Sequence, residues 1–299
     1  MKVLVVIVTY NASKWIDRCF SSIRNSNVPL DCVVIDNKSS DDTVKIIKEN
    51  YPEIIIFKPG ENLGFGKGNN IGLQYAIDNK YDYVYLLNQD AWIYPNTIEK
   101  LLEIQKRNSD IGIISPMQIQ ANEQFLDENF AEGTCSYKSN SNIINDFYFH
   151  REKEFYEVPF VMAAHWMISR ECLLSVGGFS PVFSQYGEDG NYVDRAQAKG
   201  FKIAIVPAIK AIHDRENRKK GKKQFIYLSY VACLTALSGF HAPTNHPLLW
   251  CFLFSIHTSY KYLSYLPLKN YIKIIFNYNY IKKCRKECLE ECAFLNNKI

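Results

Sequence analysis

The sequence predicts an α/β fold, a mainly parallel central sheet flanked by helices, and three observations carry that reading. Through the first hundred residues, short β-branched runs alternate with stretches of helical periodicity. Each run gives way to polar residues at what would be the carboxyl end of a strand. The composition, 47% hydrophobic and 22% charged over 299 residues, can bury a sizeable core in one large domain or in one domain with an appendage.

Taken in order, Val3 to Val8 is a continuous apolar run and predicts the first strand. Asn11-Ala12-Ser13 then opens a helix in which Trp15, Ile16, Cys19, Phe20 and Ile23 recur at helical spacing. Cys32 to Ile35 is the second strand, ending in Asp36-Asn37. Ser39-Ser40-Asp41-Asp42-Thr43 caps the next helix, whose apolar face begins with Val44, Ile46 and Ile47. Ile54 to Phe57 is a third strand, after which a Gly-rich stretch, Asn62 to Gly72, leads into a helix through Gln74, Tyr75, Ala76 and Ile77. Val84 to Leu87 suits a strand covered on both faces and breaks abruptly into Asn88-Gln89-Asp90. Pro95 with Ile98, Leu101, Leu102 and Ile104 marks a helix just beyond. Strand, helix, strand, helix implies right-handed crossovers and parallel pairing.

Ligands of such sheets bind outside the carboxyl ends of the strands. Thr9 and Asn11 follow the first strand, Asp36 and Asn37 the second, Asn62, Gly64, Gly66 and Gly68 the third, and Asn88 and Asp90 the fourth, so these loops converge on one crevice. Asp36 could accept from a base N–H or a ribose hydroxyl. The glycines would let the backbone approach a ligand, and Lys67 could meet a phosphate. The stretch is neither a Rossmann GxGxxG nor a Walker loop. Plainer readings stand beside these: Asp90 as a helix cap, and the glycines as turn geometry.

In the second half, Ser109 to Pro116 gives a short strand through Ile111, Ile113 and Ile114. Gln118 to Lys153 is polar and weakly patterned, and reads as a loop or hairpin over the site. Val158 to Ser169 reads as a strand pair and Arg170 to Leu174 as a short helix, closed by Gly177-Gly178-Phe179. Glu188-Asp189 precedes a helix with Val193, Ala196 and Ala198, where acids also match a helix dipole. Phe201 to Val206 is the next strand, ended by Pro207.

Beyond Gln224 the pattern changes. Phe225 to Phe240, Pro247 to Leu266 and Tyr271 to Ile281 are aromatic-rich helical segments, separated by His241-Ala242-Pro243 and Pro267. None supplies about 18 uninterrupted apolar residues, so no membrane span is expected. The chain divides into a catalytic domain, 1–224, and a helical carboxyl-terminal appendage, 225–299. Leu248 to Phe254, with Tyr260, Lys261, Tyr262, Tyr265 and Lys269, suits a membrane interface; a packed appendage or a dimer contact is the other reading.

The net charge of +4 is slight but unevenly spread. Lys210, Arg215, Arg218, Lys219, Lys220, Lys222 and Lys223 outnumber Asp214 and Glu216 in one stretch, which suits phosphate of a nucleotide or lipid head group, or a solvated loop; nucleic acid is not an expected partner. The nine cysteines lie mostly in apolar segments, as reduced thiols do, and the first residues lack a cleavable leader, so a cytoplasmic protein is expected. Cys284, Cys288 and Cys292 fall at i, i+4, i+8 and predict a packing stripe in preference to a metal cluster.

VVIVTYN, VIDNKSSDDT, ENLGFGKGNNIG and LLNQDAW, in that order, resemble successive motifs of the family 2 inverting glycosyltransferases, and several rhamnosyltransferases resemble this layout. The resemblance covers roughly the first three quarters of the chain. It implies a GT-A type fold binding a nucleotide-diphospho-sugar, here a UDP- or dTDP-sugar, with Mg²⁺ or Mn²⁺. By the family's pattern, Asp36 meets the base and Asp90, the last acid of the DxD-type motif, holds the metal. Asn88 stands where many members have the first Asp, so one ligand charge is missing. Asp189 falls at the family's general base, with Glu188 to orient it or meet the acceptor. Arg195 fits the family's Arg on the donor side, and His213 falls where many members carry a His near the diphosphate and metal. His165 and Trp166 lie in the acceptor-side segment, as sugar contacts or as buried structural residues.

Three functions follow from these residues. The first is inverting transfer of a sugar to a glycan or lipid-linked glycan acceptor in surface polysaccharide synthesis, at or near the inner face of the cell membrane. The second is a nucleotidyltransferase that makes the activated sugar, which would want an amino-terminal Gly-rich signature with a Lys that VTYNASKWIDR lacks. The third is a binding module without turnover, against which Asp36, Asp90 and Asp189 argue together.

Overall fold

The computed structural model describes residues 1–136, 141–215, 221–239 and 244–295. Phe240, the His241-Ala242-Pro243 break, and Glu216, Arg218, Lys219 and Lys220 of the basic run lie outside the described residues.

The amino-terminal half is the predicted alternation: β1 (Val3–Thr9), α1 (Ile16–Arg24), β2 (Asp31–Asp36), α2 (Thr43–Asn50), β3 (Ile55–Phe57), α3 (Gly64–Asp78), β4 (Tyr83–Leu87) and, after a short strand β5 (Ala91–Ile93), α4 (Thr97–Arg107). β1 pairs in parallel with β2 on one side and β4 on the other, and β3 extends β2. The strand order therefore reverses at β1, which opens a crevice at the carboxyl ends of β1, β2 and β4. The period-2 side-chain alternation of a strand explains how β1 is buried on both faces. Leu4 and Val6 pack in one core with Leu73, Ala76 and Trp166, whereas Val3, Val5 and Ile7 pack in another with Phe20, Val34 and Leu101.

The second half is less regular than its sequence predicts. It contains β6 (Ile111–Ile119), α5 (Glu128–Gly133), α6 (Ser141–Tyr148), β7 (Tyr156–Glu157), β8 (His165–Ser169), α7 (Arg170–Val176), α8 (Glu188–Ala198) and β9 (Lys202–His213). The stretch read as loop or hairpin holds two short helices, the first capped by Asp127, whose side chain accepts from the Phe130 N–H. The expected strand pair between Val158 and Ser169 is a single strand, β8, inserted antiparallel between β4 and β6. β9 does not stop at Pro207. Its register against β6 jumps from Val206↔Pro116 to Lys210↔Met117, so Pro207 sits in an irregularity where no ladder hydrogen bond is asked of it. Four pairings are parallel and four antiparallel among the described residues, so the sheet is mixed where a mainly parallel one was expected.

The carboxyl-terminal region forms α9 (Lys222–Ser238), α10 (Pro247–Tyr262), α11 (Leu266–Phe276) and α12 (Tyr278–Glu287), one helix more than expected because Asn277 separates the last two. Val231, Leu234, Cys251, Ile274 and Ile281 form their own core, into which Phe183 of the preceding region inserts. The chain end then runs back onto the main body, where Gly178 N donates to Ala293 O and Cys292 N to Leu174 O. Cys284, Cys288 and Cys292 are buried, as a packing stripe would be; the Cys292 thiol lies 3.2 Å from Leu174 O.

Candidate active site

The crevice begins with the register pair Thr9↔Asp36. Asp36 is 4% exposed, and its Oδ1 accepts from Thr9 Oγ1 at 3.1 Å and from Ser39 Oγ at 2.6 Å, while Oδ2 accepts from Ser39 N. The β1–α1 and β2–α2 loops are latched together: Asn11 N donates to Ser39 Oγ, Asn11 Oδ1 accepts from Ser40 N, and Ser13 N donates to Asp41. Burial pushes the Asp41 carboxyl up, but hydrogen bonds from Thr43 and Ser13 outweigh it and hold the group at about 2. On the other flank, Gln89 clamps Tyr10 by accepting from its N–H at 2.7 Å and donating to its carbonyl at 3.3 Å.

Asp90 and His213 meet because β5 pairs antiparallel with the end of β9 and sets Ala91 opposite His213. His213 Nε2 lies 3.6 Å from Asp90 Oδ1 and 3.4 Å from Asn88 Nδ2. Its Nδ1 lies 3.5 Å from Asp127 Oδ2 and has no hydrogen-bond partner among the described residues. With a proton on Nε2 the ring faces Asp90 as a donor; with its proton on Nδ1, facing Asp127, it would instead present an Nε2 lone pair that can ligate a cation. Arg215 Nε donates to Asp127 Oδ2 at 2.7 Å, and Trp15 Nε1 donates to Asp214. Burial raises the Asp90 carboxyl, yet the hydrogen bond and charge of His213, its own backbone amide and the charge of Arg215 bring it below the ordinary range. Asp90 is therefore held ionised, and with His213 it could hold a divalent cation.

The acid pair opens α8 after two consecutive left-handed residues, Tyr186 at φ 64° and Gly187 at φ 85°. Glu188 is buried, its Oε2 has no hydrogen-bond partner among the described residues, and burial followed by the charge of Asp189 pushes its carboxyl up to about 7. Asp189 is half-buried and accepts from Gly190 N at 2.9 Å. Burial raises its carboxyl, against the backbone amides of Gly190 and Asp189 and the charge of Arg215. Arg215 thus acts on both Asp90 and Asp189, which brings the two candidate carboxylates into one electrostatic neighbourhood.

Several expected site residues are placed otherwise. The Gly-rich stretch is helix from Gly64, not a loop, and its glycines serve packing: a Cβ on Gly68 would come within 3.0 Å of Val8, and one on Gly64, at φ 78°, within 2.2 Å of the Ser184 carbonyl oxygen. Asn62 Oδ1 accepts from Gly64 N in the turn before that helix, and Lys67 is exposed on it. Arg195 is wholly buried and donates to the Val176 and Gly178 carbonyls and to Asn191, so it braces α8 against the Gly177-Gly178 turn instead of facing a donor. His165 and Trp166 are likewise core residues, with no surface to offer an acceptor. His165 Nε2 faces the Ile212 carbonyl and so must donate, which leaves Nδ1 to accept from Tyr85 OH; burial and the nearby His213 push its pKa down to about 3. Trp166 donates to Val161 O and stacks on Phe179.

Sequence reasoning missed Asp127, Arg215 as a site residue, and Gln89. Only the position of Gln89 between Asn88 and Asp90 carried a local signal. A cavity of about 530 Å³ lined by Leu30, Asp31, Glu53 and Tyr81 lies at the amino end of β2, away from these residues.

The sequence model described as Glycosyl transferase family 2 matches residues 4–177, more than half of the chain. A low-salt glycan biosynthesis hexosyltransferase of Haloferax volcanii is 26% identical over 213 residues, 71% of this chain and 66% of that protein. An N-acetylglucosaminyl-diphospho-decaprenol L-rhamnosyltransferase of Mycobacterium tuberculosis is 22% identical over 232 residues, covering 71% and 75%. Among solved structures, S. aureus TarS 1-349 in complex with UDP superposes with a TM-score of 0.56 at 15% identity, covering 97% of this chain and 81% of that one. A Pyrobaculum calidifontis mannosyltransferase in complex with GDP-Man and Mn²⁺ gives 0.57 at 15% identity, covering 93% and 75%. At such identities these structures speak for the fold alone.

Proposed function

The chain belongs to glycosyl transferase family 2, with the GT-A fold, and from that premise we propose that it moves a sugar, with inversion, from a nucleotide-diphosphate donor to a hydroxyl of a glycan acceptor. What supports the proposal is that Asp36 and Asp90 follow β2 and β4 on either side of the strand-order reversal at β1, that His213 faces Asp90, and that the charge of Arg215 bears on both Asp90 and Asp189. Asp36 receives the donor's base or ribose, with Thr9 and Asn11 shaping that end of the crevice. Asp189 takes the proton of the attacking hydroxyl; the hydroxyl oxygen bonds the anomeric carbon as the bond to the diphosphate breaks and that electron pair leaves with the diphosphate. The charge of Arg215, felt at both Asp90 and Asp189, is the one proposed to meet leaving-group charge.

The residues present fit a divalent cation. Asp90 and His213, through Nε2, would hold it, while Asn88, whose Nδ2 lies 3.4 Å from that nitrogen, would add no charge. When bound, a Mg²⁺ or Mn²⁺ there supplies positive charge to the diphosphate. UDP- and dTDP-sugars are the donors proposed, and surface polysaccharide synthesis the setting.

Residues 1–224 are the proposed catalytic unit, and the helices beyond 224 the part that meets a membrane surface from the cytoplasmic side, where a lipid-linked acceptor would be. No helix among the described residues is long and apolar enough to cross a membrane. Instead, α10 exposes Leu249, Phe252, Leu253 and Ile256 along one stripe, and Leu263 and Phe276 nearby are each 85% exposed. Between Pro247 and Lys286 the chain carries seven Lys and Arg and no Asp or Glu, charge that complements anionic lipid. Trp250, by contrast, stacks on Phe254 and packs against the helical core.

Mass analysis of products from a panel of UDP- and dTDP-sugars with lipid-linked acceptors tests the proposal. Metal-dependent release of nucleoside diphosphate with a mass gain on the acceptor is the expected result. Formation of a nucleotide sugar from a nucleoside triphosphate and a sugar 1-phosphate, with release of pyrophosphate, would replace it with the nucleotidyltransferase reading.

A further inference from the structure

Two aromatic rings beside the acid pair have no role in the reading above. Tyr186 lies three residues before Asp189, is 41% exposed, and holds a left-handed backbone that costs a tyrosine strain and suits a glycine. Its ring meets that of Tyr227 on α9, with centroids 6.4 Å apart and planes at 60°. Tyr227 is fixed in turn: its hydroxyl donates to Gln185 O at 2.8 Å and lies 2.9 Å from Ser184 Oγ. The Ser184 carbonyl oxygen fills the space that a side chain on Gly64 would take, so this loop is wedged between the start of α3 and α9. An exposed ring packed on Tyr227 and carried by a left-handed backbone is a surface maintained against its own conformational preference.

We propose that Tyr186, backed by Tyr227, is a stacking platform for a pyranose ring of the acceptor, which it would hold over Asp189 with Ser184 and Gln185 as polar neighbours. The C–H face of a pyranose suits the negative face of an aromatic ring, and the ring's hydroxyls suit the exposed side chains beside it. The platform draws one of its two rings from the carboxyl-terminal helices, which gives that region a part in acceptor binding. Calling the sugar an acceptor rests on the glycosyl-transfer reading; the binding of the sugar does not.

The test is saturation-transfer NMR on the full chain with UDP present, using methyl β-D-glucopyranoside, methyl N-acetyl-β-D-glucosaminide and methyl α-L-rhamnopyranoside as probes. Wild-type protein should transfer to at least one. Tyr186→Ala should weaken that binding roughly 3- to 10-fold, and Tyr186→Phe, which keeps the ring, should leave it within about twofold. Tyr186→Gly suits φ 64° and so should keep the wild-type melting temperature while losing binding as the alanine variant does. Wild-type transfer from the alanine and glycine variants, or no transfer from wild type to any of the three, overturns the platform. UDP calorimetry on the same samples separates the two readings. Nucleotide binding without glycoside transfer sinks the platform alone, and glycoside transfer without nucleotide binding sinks the donor site and leaves the platform standing.

Discussion

Replacing Glu188 by Gln should stabilise the protein in mildly alkaline buffer. In the fold Glu188 is buried beside Asp189 with Oε2 unpartnered, and its carboxyl is raised from 4.5 to about 7. A raised carboxyl binds its proton more tightly folded than unfolded, so the stability it contributes is fully present below the unfolded value and is lost as pH climbs through the folded one. At about 1.4 kcal/mol per unit, the loss between pH 4.5 and pH 8 is roughly 3 kcal/mol. Gln carries no charge to desolvate, but its unpartnered amide N–H returns about 1 kcal/mol. The net gain at pH 8 is then about 2 kcal/mol, a rise of about 3 °C in melting temperature for a chain of this length. At pH 4.5 the order should reverse slightly, because wild-type Glu188 is then protonated and only the amide cost remains. Melting curves of both proteins from pH 4.5 to 8 provide the check. Parallel curves, with no crossing, would refute the claim that Glu188 carries a desolvation penalty.

Three other outcomes follow from the same geometry. Asp189→Asn should cut turnover ~10²–10⁴-fold with little change in UDP affinity, and near-wild-type transfer by a folded variant would move the base to Glu188. Calorimetry on Asp90→Ala should lose the gain in UDP affinity that Mn²⁺ gives the wild type; an unchanged gain would remove Asp90 from the metal site. The full chain should co-sediment with vesicles containing anionic lipid and be released by salt, and equal, negligible binding to anionic and neutral vesicles at low salt would leave the exposed face of α10 to a protein contact.

What was legible in the sequence is what is local. β1, β2 and β4 are continuous apolar runs because parallel strands are covered on both faces, and such runs end visibly where the polar crevice begins. β5 and β8 were less legible. β5 has three residues, and β8 follows an irregular stretch as apolar as itself, so periodicity cannot separate them. Arg195 misled for a different reason. It stands where a motif suggests a donor contact, but burial is a property of the whole fold, and here the guanidinium is satisfied by carbonyls of another turn. The glycines of α3 misled in the same way, since a loop for a ligand and a helix pressed against Val8 ask for the same residue. Asp127 was invisible because nothing local marks it; the pairing of β6 with β9, and the turn that brings Asp127 N back onto Gln118 O, carry it to His213.

The electrostatics divide labour among acids that look equivalent in the sequence. Environments that push like groups apart assign them to different tasks. Asp90, beside His213 and within reach of Arg215, is brought down and stays an anion, as a cation ligand must. Glu188, opening a helix after two left-handed residues, is raised to about 7, and Asp189 beside it is raised by burial as well. Of these two, Glu188 is the more buried and lacks a partner, so it can hold a proton but can hardly reach a substrate, whereas half-buried Asp189 keeps a surface in the crevice. The proposed glycosyl transfer therefore assigns the proton-accepting role to Asp189, with Glu188 acting through it.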